Sequence, residues 1–190
     1  MRKNTYLHDN NDVNLILKGF TSVLIGIYMI IGVYLIQTIL TGFLIDDNPL
    51  GMLSAEIIEL FCIGILFLVF LGTSVALIFG GRRIAKKFQY RLWNSKTKKT
   101  AFHYLLLVAM LFFTLMILMN AGMINALTPT FLILYALFLF RLKNKDRKQL
   151  VLLSGLAFLL AICCFFIPSY WAFTLYILGF GHMVYGVIIR

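Results

Sequence analysis

The run from Leu15 to Leu44 contains a single charged residue, Lys18, in a stretch otherwise made almost entirely of aliphatic, aromatic and small residues. An α-helix crosses a hydrocarbon core of about 30 Å with about 20 apolar residues. The run is therefore long enough to span a bilayer with tilt or overhang. Five more runs follow, Ile57–Gly80, Ala101–Met119, Ala126–Phe140, Leu150–Ile167 and Tyr170–Ile189. Membrane β-strands are about 9–11 residues long and alternate in polarity, so these lengths predict helices. Pro129 falls in the first turn of the fourth run, where proline is tolerated. The expected fold class is all-α: a polytopic integral membrane protein of six transmembrane helices in three hairpins, behind a polar tail over residues 1–14.

Composition agrees. The 190 residues are 62% hydrophobic and 13% charged, with a mean hydropathy of +0.95, whereas a soluble domain carries about 25% charged residues. Too little polar surface exists to coat a water-soluble globule of this size.

Charge sets the expected orientation. Cytoplasmic loops of membrane proteins are enriched in Lys and Arg. With the N-terminus inside and six crossings, all 17 Lys and Arg residues fall on the inner side. They lie before or at the start of the first span, in the connections 81–100 and 141–149, and at Arg190. The outer side receives Asp46, Asp47, Glu56 and Glu59, an expected acidic rim. The net charge of +10 thus reads first as a topology signal, with both termini cytoplasmic. The first apolar run is far longer than a signal-peptide core and ends without a small-residue cleavage site, so it is expected to be retained. The Lys-, Asn- and Ile-rich usage points to a bacterial cytoplasmic (inner) membrane.

The segment Gly80–Lys99, "GGRRIAKKFQYRLWNSKTKK", interleaves aromatics with cations. In a soluble chain that mixture suggests nucleic-acid binding; next to a span it does not, and no nucleic-acid partner is expected. Ile84, Phe88 and Leu92 recur every four residues, so a helix over Arg82–Trp93 would lie in the interface with Arg82, Arg83, Lys86, Lys87 and Arg91 meeting anionic headgroups or a protein partner.

Few other residues carry chemistry. Cys62, Cys163 and Cys164 all lie within spans without a CxxC pair and read as buried apolar cysteines; no metal-ligand spacing and no cofactor signature is present. Gly72, Ala76 and Gly80 form a small-residue ridge on the second span, and Ser22 and Gly26 do the same on the first. On the sixth span, Ala172, Gly179 and Gly186 repeat every seven residues, with Leu175 and His182 on the same face. His182 is therefore expected inside the bundle, hydrogen-bonded to a hydroxyl or carbonyl of a facing helix. Ser74 lies at a matching depth on the second span. The stretches "LTPTFLILYAL" and "IPSYWAFTLYIL" share an early proline and a later Leu-Tyr, which suggests a common way of starting helices at the outer side.

Three functional readings follow. The leading one is a non-catalytic accessory, assembly or regulatory subunit. It would interact through the basic connections and the small-residue faces with anionic lipid, a membrane-protein partner or a second copy. The first alternative is a small transporter or substrate-binding unit, because the size and six spans resemble the substrate-binding subunits of energy-coupling-factor transporters. The second alternative is an intramembrane enzyme pairing Ser74 with His182. Here "GFGHMVYG" resembles the histidine helix of rhomboid proteases over fewer than a dozen residues. "GTSV", however, lacks the second glycine of that family's GxSG motif and lies on the second span instead of the fourth.

Overall fold

The computed structural model describes residues 15, 17–44, 49–87, 89, 91–141 and 147–188. Among these the protein is all-helical, without strands. Its six helices are α1 Phe20–Phe43, α2 Ala55–Lys87, α3 Ser95–Asn120, α4 Leu127–Arg141, α5 Arg147–Phe166 and α6 Trp171–Ile188. Five of the helical segments are long and apolar enough to cross a membrane; the sixth, α5, has a shorter apolar part, Leu150–Phe166. These helices are compatible with a multi-pass membrane protein.

Helix limits differ from the apolar runs where local chemistry intervenes. α1 begins five residues later than the run at Leu15, because Gly19 takes φ 55°, a conformation that glycine enters without steric penalty. α2 does not stop at Gly80. It continues through Arg82, Arg83, Lys86 and Lys87, and the turn beyond it includes Gln89 at φ 55°. A single amphipathic helix over Arg82–Trp93 is therefore not formed. The first half extends α2, and α3 starts afresh with the Asn94 side chain accepting the Thr97 backbone N–H at 2.6 Å, a regular N-cap. Both proline-bearing helix starts share one device, since a 3-10 turn precedes α4 (Ile124–Ala126) and α6 (Pro168–Tyr170).

The core sits among α1, α4, α5 and α6. Leu132, Leu139, Leu150, Leu178, Ala157 and Cys164 are fully or almost fully buried there. α2 leans on α1, and α3 leans on α4. In the apolar stretch of α6, 39% of residues are buried, against 6% in α2 and 11% in α3. The last two helices thus form an exposed flank whose outward side chains include Phe67, Leu68, Phe79, Leu105 and Phe113. In water that flank would be untenable; against lipid tails it is ordinary.

In lipid, helices gain nothing from hiding apolar surface from one another, so close packing and hydrogen bonds decide which pairs form. α1 shows this on two faces. Toward α6, a Cβ on Gly186 would lie 2.6 Å from the Gly19 carbonyl oxygen, and one on Gly26 would collide with the Gly179 carbonyl. Toward α2, a Cβ on Gly80 would collide with Thr21, one on Gly32 with Val69, and one on Gly72 would press on the Tyr28 ring. The ridge Gly72, Ala76 and Gly80 is therefore spent on α1, with Ala76 buried. The small-residue faces expected to receive a partner are instead internal seams. A Ser154 hydroxyl donating to the Ala136 carbonyl at 2.8 Å ties α5 to α4.

Candidate functional site

α6 presents Ala172, Gly179, His182 and Gly186 to the interior, all buried. The contacts Gly19–Gly186 and Gly26–Gly179 run antiparallel along α1 and α6. Ser22, between the two glycines of α1, is thereby brought against His182, between the two of α6. His182 is 0% exposed, as is Ser22.

The Ser22 hydroxyl donates to the His182 backbone carbonyl at 2.9 Å, and its oxygen lies 3.3 Å from His182 Nδ1. On the other side of the ring, the Tyr135 hydroxyl of α4 lies 2.6 Å from Nε2. Of the two neutral tautomers, one satisfies all three contacts. With Ser22 already donating to the carbonyl, its oxygen accepts from Nδ1–H, which leaves Nε2 to accept from the Tyr135 hydroxyl. The opposite tautomer would leave Nδ1 without a donor. Three helices meet at one imidazole with a partner at each ring nitrogen.

Ser74 belongs to a different cluster. Its hydroxyl donates to the Phe70 carbonyl at 2.7 Å and lies 3.0 Å from the Tyr104 hydroxyl of α3, which is also 3.4 Å from Thr73. Because Ser74 spends its proton on the carbonyl, Tyr104 donates to it. The pairing of Ser74 with His182 is thus replaced by two separate pairings. Equal depth put both residues at one level, but α1 packs against both α6 and α2 and so stands between them. A chain of tilted rings connects the two clusters: Tyr104 approaches Phe138 at 5.8 Å, Phe138 approaches Tyr135 at 6.3 Å, and Tyr135 approaches the His182 ring at 5.6 Å.

The charged candidates lie at the bundle's ends. Arg82, Arg83, Lys86, Lys87 and Arg91 are exposed, as are Lys96, Lys98 and Lys99 in the first turns of α3. Glu56 and Glu59 are exposed in the first turns of α2, while Asp46 and Asp47 lie outside the described residues. Cys164 is buried, Cys62 half-buried and Cys163 exposed, so the reading of all three as buried fails at Cys163, which α5 turns outward. Among the described residues no group of three or more His, Cys, Asp or Glu is placed to hold a metal. At the opposite end from the cations, a cleft of about 350 Å³ opens between α1 and α6, lined by Gln37, Thr41, Ser169, Trp171 and Phe173 among others. Just inside it, the Tyr176 hydroxyl donates to Gln37 at 3.1 Å.

Sequence reasoning missed Ser22, Tyr135 and Tyr104 as hydrogen-bond partners. Ser22 was visible as a small residue, and Tyr135 as part of the Leu-Tyr pattern. Nothing in a one-dimensional pattern says that either meets a histidine. Comparison with protein-family models, with curated proteins and with solved structures finds no match for this chain.

Proposed function

We propose that this chain is a six-span protein of a bacterial cytoplasmic membrane, its three hairpins leaving both termini and the basic connections inside. There it serves as a non-catalytic accessory, assembly or regulatory subunit. The observation that carries this reading is the engagement of the His182 ring and the Ser74 hydroxyl by other groups of the chain. Both ring nitrogens of His182 have partners, and the Ser74 hydroxyl is committed to Phe70 and Tyr104. An intramembrane base needs a free lone pair facing a nucleophile, and here the lone pair is already occupied. A transporter needs polar groups turned into a midplane site, whereas these side chains bond to one another. Interaction is assigned to what the fold leaves outside, the basic ends of α2 and α3 and their exposed flank; the small-residue faces are used within the chain.

The test is complementation of a strain lacking the protein, with folding measured in parallel. His182→Gln should keep function wherever it keeps its folded amount in the membrane. A fully stable but inactive His182→Gln would establish a proton-transfer role and end the non-catalytic reading.

A further inference from the structure

The seam between α1 and α6 is closed at one end and open at the other. Gly19–Gly186 and Gly26–Gly179 bring the two backbones together in one antiparallel register. Continued at that register, Trp171, the first residue of α6, falls about level with Tyr34. The last two turns of α1 therefore run about 13 Å past it, at 1.5 Å per residue. The cleft of about 350 Å³ opens beside this overhang, between Gln37 and Thr41 of α1 and Ser169 and Trp171 at the start of α6. That volume falls within the range of small-molecule sites.

The polar lining differs from the rest of the bundle. Elsewhere hydroxyls go to backbone carbonyls, Thr38 to Tyr34, Thr114 to Met110, Ser154 to Ala136 and Thr174 to Trp171. At the cleft, the Thr41 and Ser169 hydroxyls and the Trp171 indole N–H have no hydrogen-bond partner among the described residues. Gln37 takes the Tyr176 proton on its carbonyl oxygen, which holds the amide in place and leaves its NH2 uncommitted. Neither residues 19–81 nor residues 149–189 contain a Lys or Arg, so a phosphate here would meet no cation from the helices that build the cleft. Hydroxyls and an amide instead suit a ligand that is uncharged and carries several hydroxyls of its own.

We propose that this cleft binds the sugar headgroup of an uncharged glycolipid, a glycosyl diacylglycerol in chemical class, with Gln37, Thr41 and Ser169 as its hydrogen-bonding contacts and Trp171 as its aromatic wall. Tryptophan is a residue type enriched where lipid headgroups meet the hydrocarbon. The apolar rim argues for a lipid over a free sugar. Leu44 and Phe173, both lining residues, are 79% and 64% exposed, and Ile177 and Phe180 continue the outward face of α6 away from the cleft, open to acyl chains. The site rests on the reading that α1 and α6 cross a membrane; it is independent of which side this end faces and of the subunit role.

The test uses the full chain in phosphatidylcholine nanodiscs. The chain has two tryptophans, so in a Trp93→Phe background the emission reports Trp171 alone. Glucosyl diacylglycerol should shift that emission saturably. Diacylglycerol with the same chains and no sugar should need at least about tenfold more lipid for half-saturation, the loss of one to two hydrogen bonds. Thr41→Val combined with Ser169→Ala, both at exposed positions, should raise the half-saturation point for the glycolipid at least about tenfold on the same grounds. Thr38→Val removes a neighbouring hydroxyl already bonded to Tyr34 and should change it less than about twofold. A shift that never saturates, an equal response to diacylglycerol, or an unchanged half-saturation point in the Thr41 and Ser169 variant would overturn the site. Binding of soluble methyl glucoside as tightly as the glycolipid would overturn the lipid assignment. None of these outcomes depends on whether His182→Gln complements, so the site and the subunit role fail separately.

Discussion

His182 is held from both sides of its ring, and each holder belongs to a different helix. Removing either leaves a buried polar atom without its partner, which is costlier than never having had the bond. Tyr135→Phe strands Nε2, and Ser22→Ala strands Nδ1–H, while the His182 carbonyl keeps its bond within α6. Each should lower stability by about 1–2 kcal/mol, the range model peptides give for interhelical hydrogen bonds in membranes. Because both act through one imidazole, the double variant should cost less than the sum. Unfolding titrations in mixed micelles would check this; strictly additive costs, or none, would contradict the proton assignment. The face of α6 that carries His182 is legible in the sequence, since a seven-residue repeat of small residues marks it. The partners are not legible. Depth along a helix can be counted from sequence, but which helices are neighbours, and how each is rotated, depends on packing that no single run of residues encodes.

At the scale of the element, glycine decides which helices touch. Gly179 and Gly186 sit where α1 and α6 nearly meet at their backbones, whereas Gly64 of α2 and Gly155 of α5 have nothing within 4 Å of where a Cβ would stand. Substitutions should separate along that line. Gly179→Leu or Gly186→Leu should push α1 from α6, break the Ser22 contact with it, and cost more than loss of the histidine bonds. Gly64→Ala and Gly155→Ala should be neutral or stabilising by up to about 1 kcal/mol, the intrinsic helix preference of alanine over glycine. Thermal stability of the purified variants would reveal the order, and a destabilising Gly155→Ala would show that α5 has an unrecognised neighbour on that face. Spacing alone showed that small residues were present on α2 and α1; it was silent on whether they served this chain or a partner. The structure answers through Thr21, Tyr28 and Val69, which fill those positions from within. The helical end at Lys87 was hidden for a different reason. Hydropathy falls at Gly80, but Arg and Lys are good helix formers, so the backbone carries on after the apolar pattern stops.

For the whole molecule, the central claim is a six-crossing bundle with its cations on one side. Register supports the arrangement. The start of α1 meets the ends of both α2 and α6, through Thr21–Gly80 and Gly19–Gly186, and the Ser74–Tyr104 contact links α2 to α3. The all-helical class was legible because the apolar runs have helical lengths, and five of the helical segments are long and apolar enough to cross a membrane. The crossing least fixed by length is α5, whose apolar part is the short segment Leu150–Phe166. Ser95, Asn125 and Ser169 are exposed at helix ends and bracket the question. Single cysteines placed there, in a background with Cys62, Cys163 and Cys164 replaced, can be probed in intact cells with an impermeant thiol reagent. Positions 125 and 169 should label from outside and position 95 should not. Labelling at 95 would reverse the orientation, and protection at 169 with labelling at 125 would show that α4 and α5 do not both cross, contradicting the six-span account.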